Sequence, residues 1–303
     1  MSQSDFIKEF HSKLEAFKKN FYFLTRSPLA TIGLGIVLFY ILIAIVGPII
    51  VGGNPLIMTQ NLKYYFNPQP PSMQYPFGTT YRGYDIFNGV IKGARTDIGV
   101  AAIIVLSGAF IGTILGSIAG YKGGIIGETI MRITDIFLSI PFIVLAVAFL
   151  LIFGRNLITM VEALVIIWWP TYTRIVRGQV LIVRELKYVE ASVAAGSSSL
   201  RTVIKHIIPN SIYPIFVQIS LDFGNVILTI ASLFYLGFGF AGYSLAEWGN
   251  IIGIAASQGS GIQTLELYPW TIEIPGLVIL IFVLSLNLLG DGLRDITDPR
   301  LRR

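Results

Sequence analysis

The chain has 303 residues, 54% of them hydrophobic and only 13% charged, about half the charge of an average soluble domain. That balance marks a polytopic membrane protein, in which the placement of Lys and Arg says more than the net charge of +5. The absence of cysteine removes disulfides, thiolate metal sites, iron–sulfur clusters and cysteine nucleophiles, and His11 and His206 lack the paired spacing of a helical zinc site.

The first 26 residues set Lys8, Lys13, Lys18, Lys19 and Arg26 among Asp5, Glu9 and Glu15, while Phe6, Phe10, Leu14, Phe17 and Phe21 recur every three or four positions. This predicts an amphipathic helix lying on the membrane over residues 1–28, too long and too acidic for a signal-peptide n-region. Six apolar runs follow, at 31–51, 98–121, 136–154, 156–173, 211 to about 240, and 274–290. Each is long enough to cross about 30 Å of hydrocarbon, so the expected fold is all-α with six transmembrane helices. Pro141 and Pro170 predict kinks or helix ends in the third and fourth runs. Gly112, Gly116 and Gly120 recur every four residues, leaving one stripe of the second helix bare so that a neighbour can approach closely. The longest polar insertions, 52–97, 174–210 and 241–273, hold no further closed domain.

With the N-terminus inside, only Lys63, Arg82, Lys92, Arg95 and Arg155 of the 22 Lys and Arg fall on outer segments, leaving 17 inside. The positive-inside rule then places both termini and the insertion 174–210 in the cytoplasm. Glu162 and Asp222 are the carboxylates buried within the runs, and Gln218, Asp222 and Asn225 share one helical face at i, i+4 and i+7. A mid-span carboxylate faces water in a pathway or a polar partner, and not lipid; the polar stripe reads either as pathway lining or as interhelical glue.

The insertion contains EASVAAGSSSLRTVIKHIIPN, Glu190 to Asn210. Residues 184–195 form one helical run. After Ser199, Leu200, Val203, Ile204, Ile207 and Ile208 form the apolar face of another, with Arg201 and Lys205 on a different face. Gly196 supplies a sharp turn between them and Ser199 is placed to cap the second helix. An interfacial linker has this pattern. So does a DNA-binding helix-turn-helix, but a segment tethered at both ends to membrane spans is badly placed to enter a major groove. Gly237, Gly239 and Gly242 spell a dinucleotide fingerprint, yet they end a membrane run instead of joining a strand to a helix, and no phosphate-cradling loop occurs elsewhere.

Glu190-Ala191, Gly196 and Pro209 in this spacing resemble the EAA loop of permease subunits in ATP-binding-cassette importers, the loop that docks into a groove on the ATPase. RSPLATIGLG, GTTYRGYDIFNGVIKGAR, MRITDIFLSIP, YVEASVAAGSSSLRTVIKHIIPN and NLLGDGLRDITDPRL, in that order, are similar to the C-type subunit of the dipeptide, oligopeptide and nickel branch over nearly the whole chain. Ser192 stands at the third EAA position in place of alanine, Thr80 and Tyr84 stand where the family has aspartate and arginine, and LGFGFAGYSLAEWG lacks the family's prolines. An acidic residue usual near Thr229 or Ile230 is absent. These departures cluster on the outer side and in the pathway.

The resemblance implies a type I importer permease with a cytoplasmic coupling helix, divided into the N-terminal helix 1–28, a first transmembrane helix with an extracytoplasmic loop at 29–97, and a five-helix core at 98–303 containing the coupling loop 184–210. It implies an ATPase contact at Glu190, Ala191, Ser192, Gly196, Ser197, Arg201, His206 and Pro209. The implied partners are a second homologous permease subunit, two cytoplasmic ATPase subunits that hold ATP and Mg, an extracytoplasmic solute-binding protein and membrane lipid, with no nucleic acid. The chain itself binds no cofactor, is not an enzyme, and belongs in a prokaryotic inner membrane. Peptide is the expected solute, with oligosaccharide or nickel as alternatives within the family. An ion-coupled secondary transporter is the competing class; its coupling carboxylates would have to be Glu162 and Asp222.

Overall fold

In the computed structural model, residues 25, 27–239, 244–257, 264 and 266–297 are described. The N-terminal surface helix and Gly242 lie outside them. The described residues are nearly all helical. α1 (Pro28–Val51) starts where Ser27 Oγ accepts from Ala30 N–H at 3.4 Å and Pro28 occupies the first turn. Its outer face is apolar and open, with Ile49 and Ile50 76% and 78% exposed, as a lipid-facing helix requires.

α2 (Ile86–Lys122) begins 12 residues before the predicted run, because Asp85 caps it by accepting from Phe87 and Asn88 N–H at 2.9 and 3.3 Å. Its 37 residues extend about 55 Å, so the first turns stand clear of the hydrocarbon. The predicted third run is not one straight helix: α3 (Gly124–Ser139) and α4 (Phe142–Phe153) meet at 88°. Pro141 forces Ile140 into extended backbone (φ −100°, ψ 132°), which breaks the helix there. α5 (Leu157–Val183) runs ten residues past its predicted end and stays one element through the buried Pro170, so no helix end occurs at that proline. Its 27 residues carry Glu162, Arg174 and Arg177.

The segment between α5 and the next long helix comprises α6 (Lys187–Ala194), α7 (Ser199–Thr202), a π turn (Val203–Ile207) and α8 (Ile208–Ser211). α9 (Tyr213–Tyr235), α10 (Trp248–Ser257) and α11 (Trp270–Thr297) follow. α1, α2, α9 and α11 are each long and apolar enough to cross a membrane, and the bent α3/α4 pair brings the number to five.

α2 and α5 form the most extensive helix pairing. The bare stripe is the reason: a Cβ on Gly112 would lie 2.4 Å from Tyr172 Cβ, and one on Gly116 would lie 2.6 Å from the Thr173 carbonyl. Gly108 extends the seam to Trp168, where a Cβ would come within 3.1 Å.

At the outer end the loop after α1 folds onto the approach to α10: Met58 N–H donates to Ser244 O and Ala246 N–H to Leu56 O, at 2.8 and 2.9 Å. The predicted polar insertion 241–273 therefore contains a buried helix. Trp248 is fully enclosed, donates its indole N–H to Val90 O at 2.9 Å, and packs edge-on against Tyr40 and Phe282. Its backbone N–H donates to Asp97 Oδ2 at 3.0 Å, while the neighbouring Glu247 carboxylate accepts from Gly249 and Asn250 N–H. The Asp97 and Glu247 carboxyls are thus buried beside each other, each held by backbone N–H donors at the start of α10.

Candidate functional site

A cavity of about 750 Å³ lies between the α3/α4 break, α5 and α9. The break is what opens it: Ser139, Ile140, Pro141 and Phe142 form one rim where a continuous helix would have filled the space. α5 contributes Trp168 and Thr171. α9 contributes a polar stripe, Gln218, Asp222, Asn225, Thr229 and Ser232, whose alternating spacing of four and three keeps it on one helix face.

Spacing alone placed the first three members of that stripe together, and they are together: Gln218 Nε2 donates to Asp222 Oδ1 at 3.0 Å, and Asn225 Nδ2 donates to the same oxygen at 3.4 Å. Asp222 is 4% exposed, and its second oxygen makes no hydrogen bond. The Tyr172 hydroxyl and the Trp168 indole approach the carboxylate outside hydrogen-bonding geometry. Thr229 and Ser232 were missed, although the same spacing extends to them. Their hydroxyls bond back to the carbonyls of Asn225 and Leu228 at 2.7 Å, an arrangement that satisfies short polar side chains inside a helix. Glu162, the other carboxylate expected within an apolar run, does not line this cavity.

The second candidate site is the turn between α6 and α7. Gly196 has φ +82°, its N–H donates to Val193 O at 2.9 Å, and Ser197 N–H donates to Ser192 O at 3.1 Å. This pair of bonds is a Schellman closure, which calls for glycine at the left-handed position. α6 is shorter than the predicted 184–195, since residues 184–186 form the turn leaving α5. Ser198, not Ser199, occupies the cap position of α7, and no side chain caps it.

Glu190, Ala191, Gly196, Arg201 and Pro209 are exposed, and Ser192, Ser197 and His206 half-buried. The Glu190 carboxylate has no hydrogen-bond partner among the described residues. Tyr188 and His206 rings lie 6.4 Å apart, bringing the two arms of the turn together. Of the predicted apolar face only Ile207 is buried, while Leu200 and Ile204 are 71% and 58% exposed. Around Gly196 itself there is open space: an added Cβ meets nothing within 4 Å.

Residues 112–303 match the family of binding-protein-dependent transport system inner membrane components, and residues 17–71 match the N-terminal transmembrane domain of oligopeptide transport permease C. The chain is 38% identical to the dipeptide transport system permease protein DppC of Alkalihalophilus pseudofirmus, over 95% of this chain and 90% of that one. It is 37% identical to the oligopeptide transport system permease protein OppC of Bacillus subtilis, over 91% and 87%. The probable D,D-dipeptide transport system permease protein DdpC of Escherichia coli is 35% identical, over 92% and 90%. With both matches in order along a helical chain that has several membrane-length apolar segments, this protein belongs to the binding-protein-dependent transport permeases, in their C-type branch, and is a membrane permease and not an enzyme.

Proposed function

We infer that the chain is the C-type permease subunit of an ATP-driven importer of peptides, crossing the inner membrane six times with both termini in the cytoplasm. The six spans are α1, α2, the broken α3/α4 pair, α5, α9 and α11, and the 17-to-5 distribution of Lys and Arg supports this orientation. A second homologous permease closes the pathway opposite the α9 cavity. Two ATPase subunits, which carry the ATP and Mg, engage α6 and the Gly196 turn, and an extracytoplasmic binding protein delivers the solute. Peptide, in preference to oligosaccharide or nickel, follows the names of the relatives.

The observation that carries this reading is the Gly196 turn. It is closed tightly by its own backbone, exposed, and set in the one segment that joins two walls of the cavity, α5 and α9. Coupling Glu190→Arg and Gly196→Trp with copurification of tagged ATPase subunits tests it. Because no atom of the described residues occupies the space at Gly196, Gly196→Ala costs only the strain of left-handed backbone, about 1–2 kcal/mol. Expected is near-normal ATPase recovery with Gly196→Ala, and loss with Gly196→Trp and Glu190→Arg while the permease pair still forms. Undiminished recovery and coupled hydrolysis in both of the latter would overturn the assignment of the coupling site.

A further inference from the structure

We propose that the α9 cavity reads a free ammonium group on its solute, with Asp222 as the anionic anchor. This rests on the permease reading and adds to it the chemistry by which the pathway selects.

An ionised carboxylate has only acceptor sites, and one held away from water is costly unless a charge or a full set of donors compensates it. Asp222 has half a set: the donors from Gln218 and Asn225 converge on Oδ1, and Oδ2 has none. Both donors are neutral amides. Among the described residues no lysine, arginine or histidine lines the cavity. Both amides sit on α9 itself, so their bonds to Asp222 run along one helix; the Tyr172 hydroxyl and the Trp168 indole of α5 approach the carboxylate without closing a hydrogen bond, which leaves Oδ2 open to a ligand.

The rest of the cavity sharpens the choice of ligand. Trp168, Phe137 and Phe142 present aromatic surface beside the stripe, with the Phe142 and Trp168 rings 6.0 Å apart. Aromatic faces attract a cation and repel an anion. A divalent metal would need several oxygen, nitrogen or sulfur ligands, and among the described residues no group of three His, Cys, Asp or Glu side chains is placed to hold one. A neutral sugar would supply hydroxyl donors but leave the charge uncompensated. An ammonium supplies the missing charge together with three donors. A volume of about 750 Å³ lies within the usual range for a small-molecule site and accommodates more than the ammonium alone, so the expected solute is a short peptide whose amino group is free.

The test measures equilibrium binding of trialanine and Nα-acetyl-trialanine to the purified permease–ATPase complex without its binding protein, which removes that protein's own selectivity. The complexes compared are wild type, Asp222→Asn and Asp222→Glu. The expected result is that wild type prefers trialanine by about tenfold or more, as for a charge-assisted hydrogen bond to a desolvated group. Asp222→Asn brings the ratio to about one, and Asp222→Glu retains a preference. Equal binding of the two peptides by wild type overturns the proposal, as it would if a cation from the partner permease already neutralised Asp222. So does an unchanged ratio in Asp222→Asn, the result for a carboxyl that is neutral in the resting protein. If Asp222→Asn fails to assemble, the wild-type and Asp222→Glu ratios still decide. ATP-dependent uptake by reconstituted wild-type complex supplied with its binding protein separates the two levels of inference: peptide uptake together with equal binding of the two peptides by the isolated complex sinks the ammonium site alone, whereas no ATP-dependent uptake of any peptide sinks the importer reading beneath it.

Discussion

Replacing Gly112 by alanine adds one methyl group at the closest part of the α2–α5 seam. That Cβ would sit 2.4 Å from Tyr172 Cβ, 2.7 Å from Trp169 O and 2.9 Å from Thr173 N. Carbon atoms pack at about 3.5–4.0 Å, so the two helices must part by about 1 Å at this turn. Two of the three obstacles are backbone atoms, which do not rotate away. Overpacking of this kind costs about 1–3 kcal/mol, against a gain of about 0.5–1 kcal/mol from replacing glycine by alanine inside a helix. Because parting the helices also loosens the contacts of Gly108 and Gly116, the cost falls in the upper part of that range and the net loss is about 1–2 kcal/mol. The internal control is Gly99→Ala in the same helix, where an added Cβ meets nothing within 4 Å and the propensity gain stands alone. Thermal unfolding of both variants in detergent is the measurement, with Gly112→Ala expected below wild type and Gly99→Ala at or slightly above it. A Gly112→Ala midpoint matching that of Gly99→Ala would refute the close-packed seam.

Two further outcomes follow. Burial pushes the Glu247 carboxyl above its ordinary range, so the folded state holds a proton that the unfolded chain releases; its contribution is fully present below the unfolded value near about 4.3 and is lost as pH rises through the raised folded value. Thermal midpoints should therefore fall with rising pH more steeply for wild type than for the Asp97→Asn, Glu247→Gln double variant, in which neither position titrates; equal slopes would show that this pair does not titrate. In this cysteine-free chain, Ser198→Cys should resist an impermeant thiol reagent applied outside intact cells and react once the membrane is opened, and labelling from outside would reverse the orientation.

The parts of the molecule legible in the sequence are those in which the residue itself sets the geometry. Gly196 is the left-handed turn because the other residues there would be strained, and the stripe through Gln218, Asp222 and Asn225 converges because helical spacing alone brings those side chains together. What hydropathy hid was made tolerable by distant partners. α2 was expected to start after Asp97, yet Lys92 and Asp97 are buried inside it. Lys92 Nζ donates to Ile57 O at 3.0 Å and Asp97 accepts from Trp248, 151 positions away. The start signal, Asp85 ahead of IFNGV, was present and was outweighed by the charges that follow it. The α3/α4 break was half legible: Pro141 marks the place, but neither the 88° angle nor the cavity it opens is encoded locally, since both depend on how α5 and α9 pack beside it.

The helices that meet at the Gly196 turn differ in stiffness, and the difference bears on how force applied there would reach the cavity. On one side, α6 follows α5 through a three-residue turn, and Arg184 Nη1 donates to Gly120 O at 2.9 Å, a guanidinium at the negative end of α2. The glycine seam then binds α2 to α5 along about three helical turns. α6, α5 and α2 thus form one stiff arm. On the other side, α7 leads to α9 through the π turn, where Ile208 N–H reaches back five residues to Val203 O and Pro209 has no N–H to give. Its backbone ladder is already interrupted, so bending costs least there. A push on the turn would therefore be transmitted by α5 and absorbed between α7 and α9, changing the angle between the helix that carries Trp168 and the helix that carries Asp222. That displacement would open or close the cavity at Asp222, and on the ammonium-site proposal it would couple movement of the loop to release of the bound cation without requiring either cavity wall to deform.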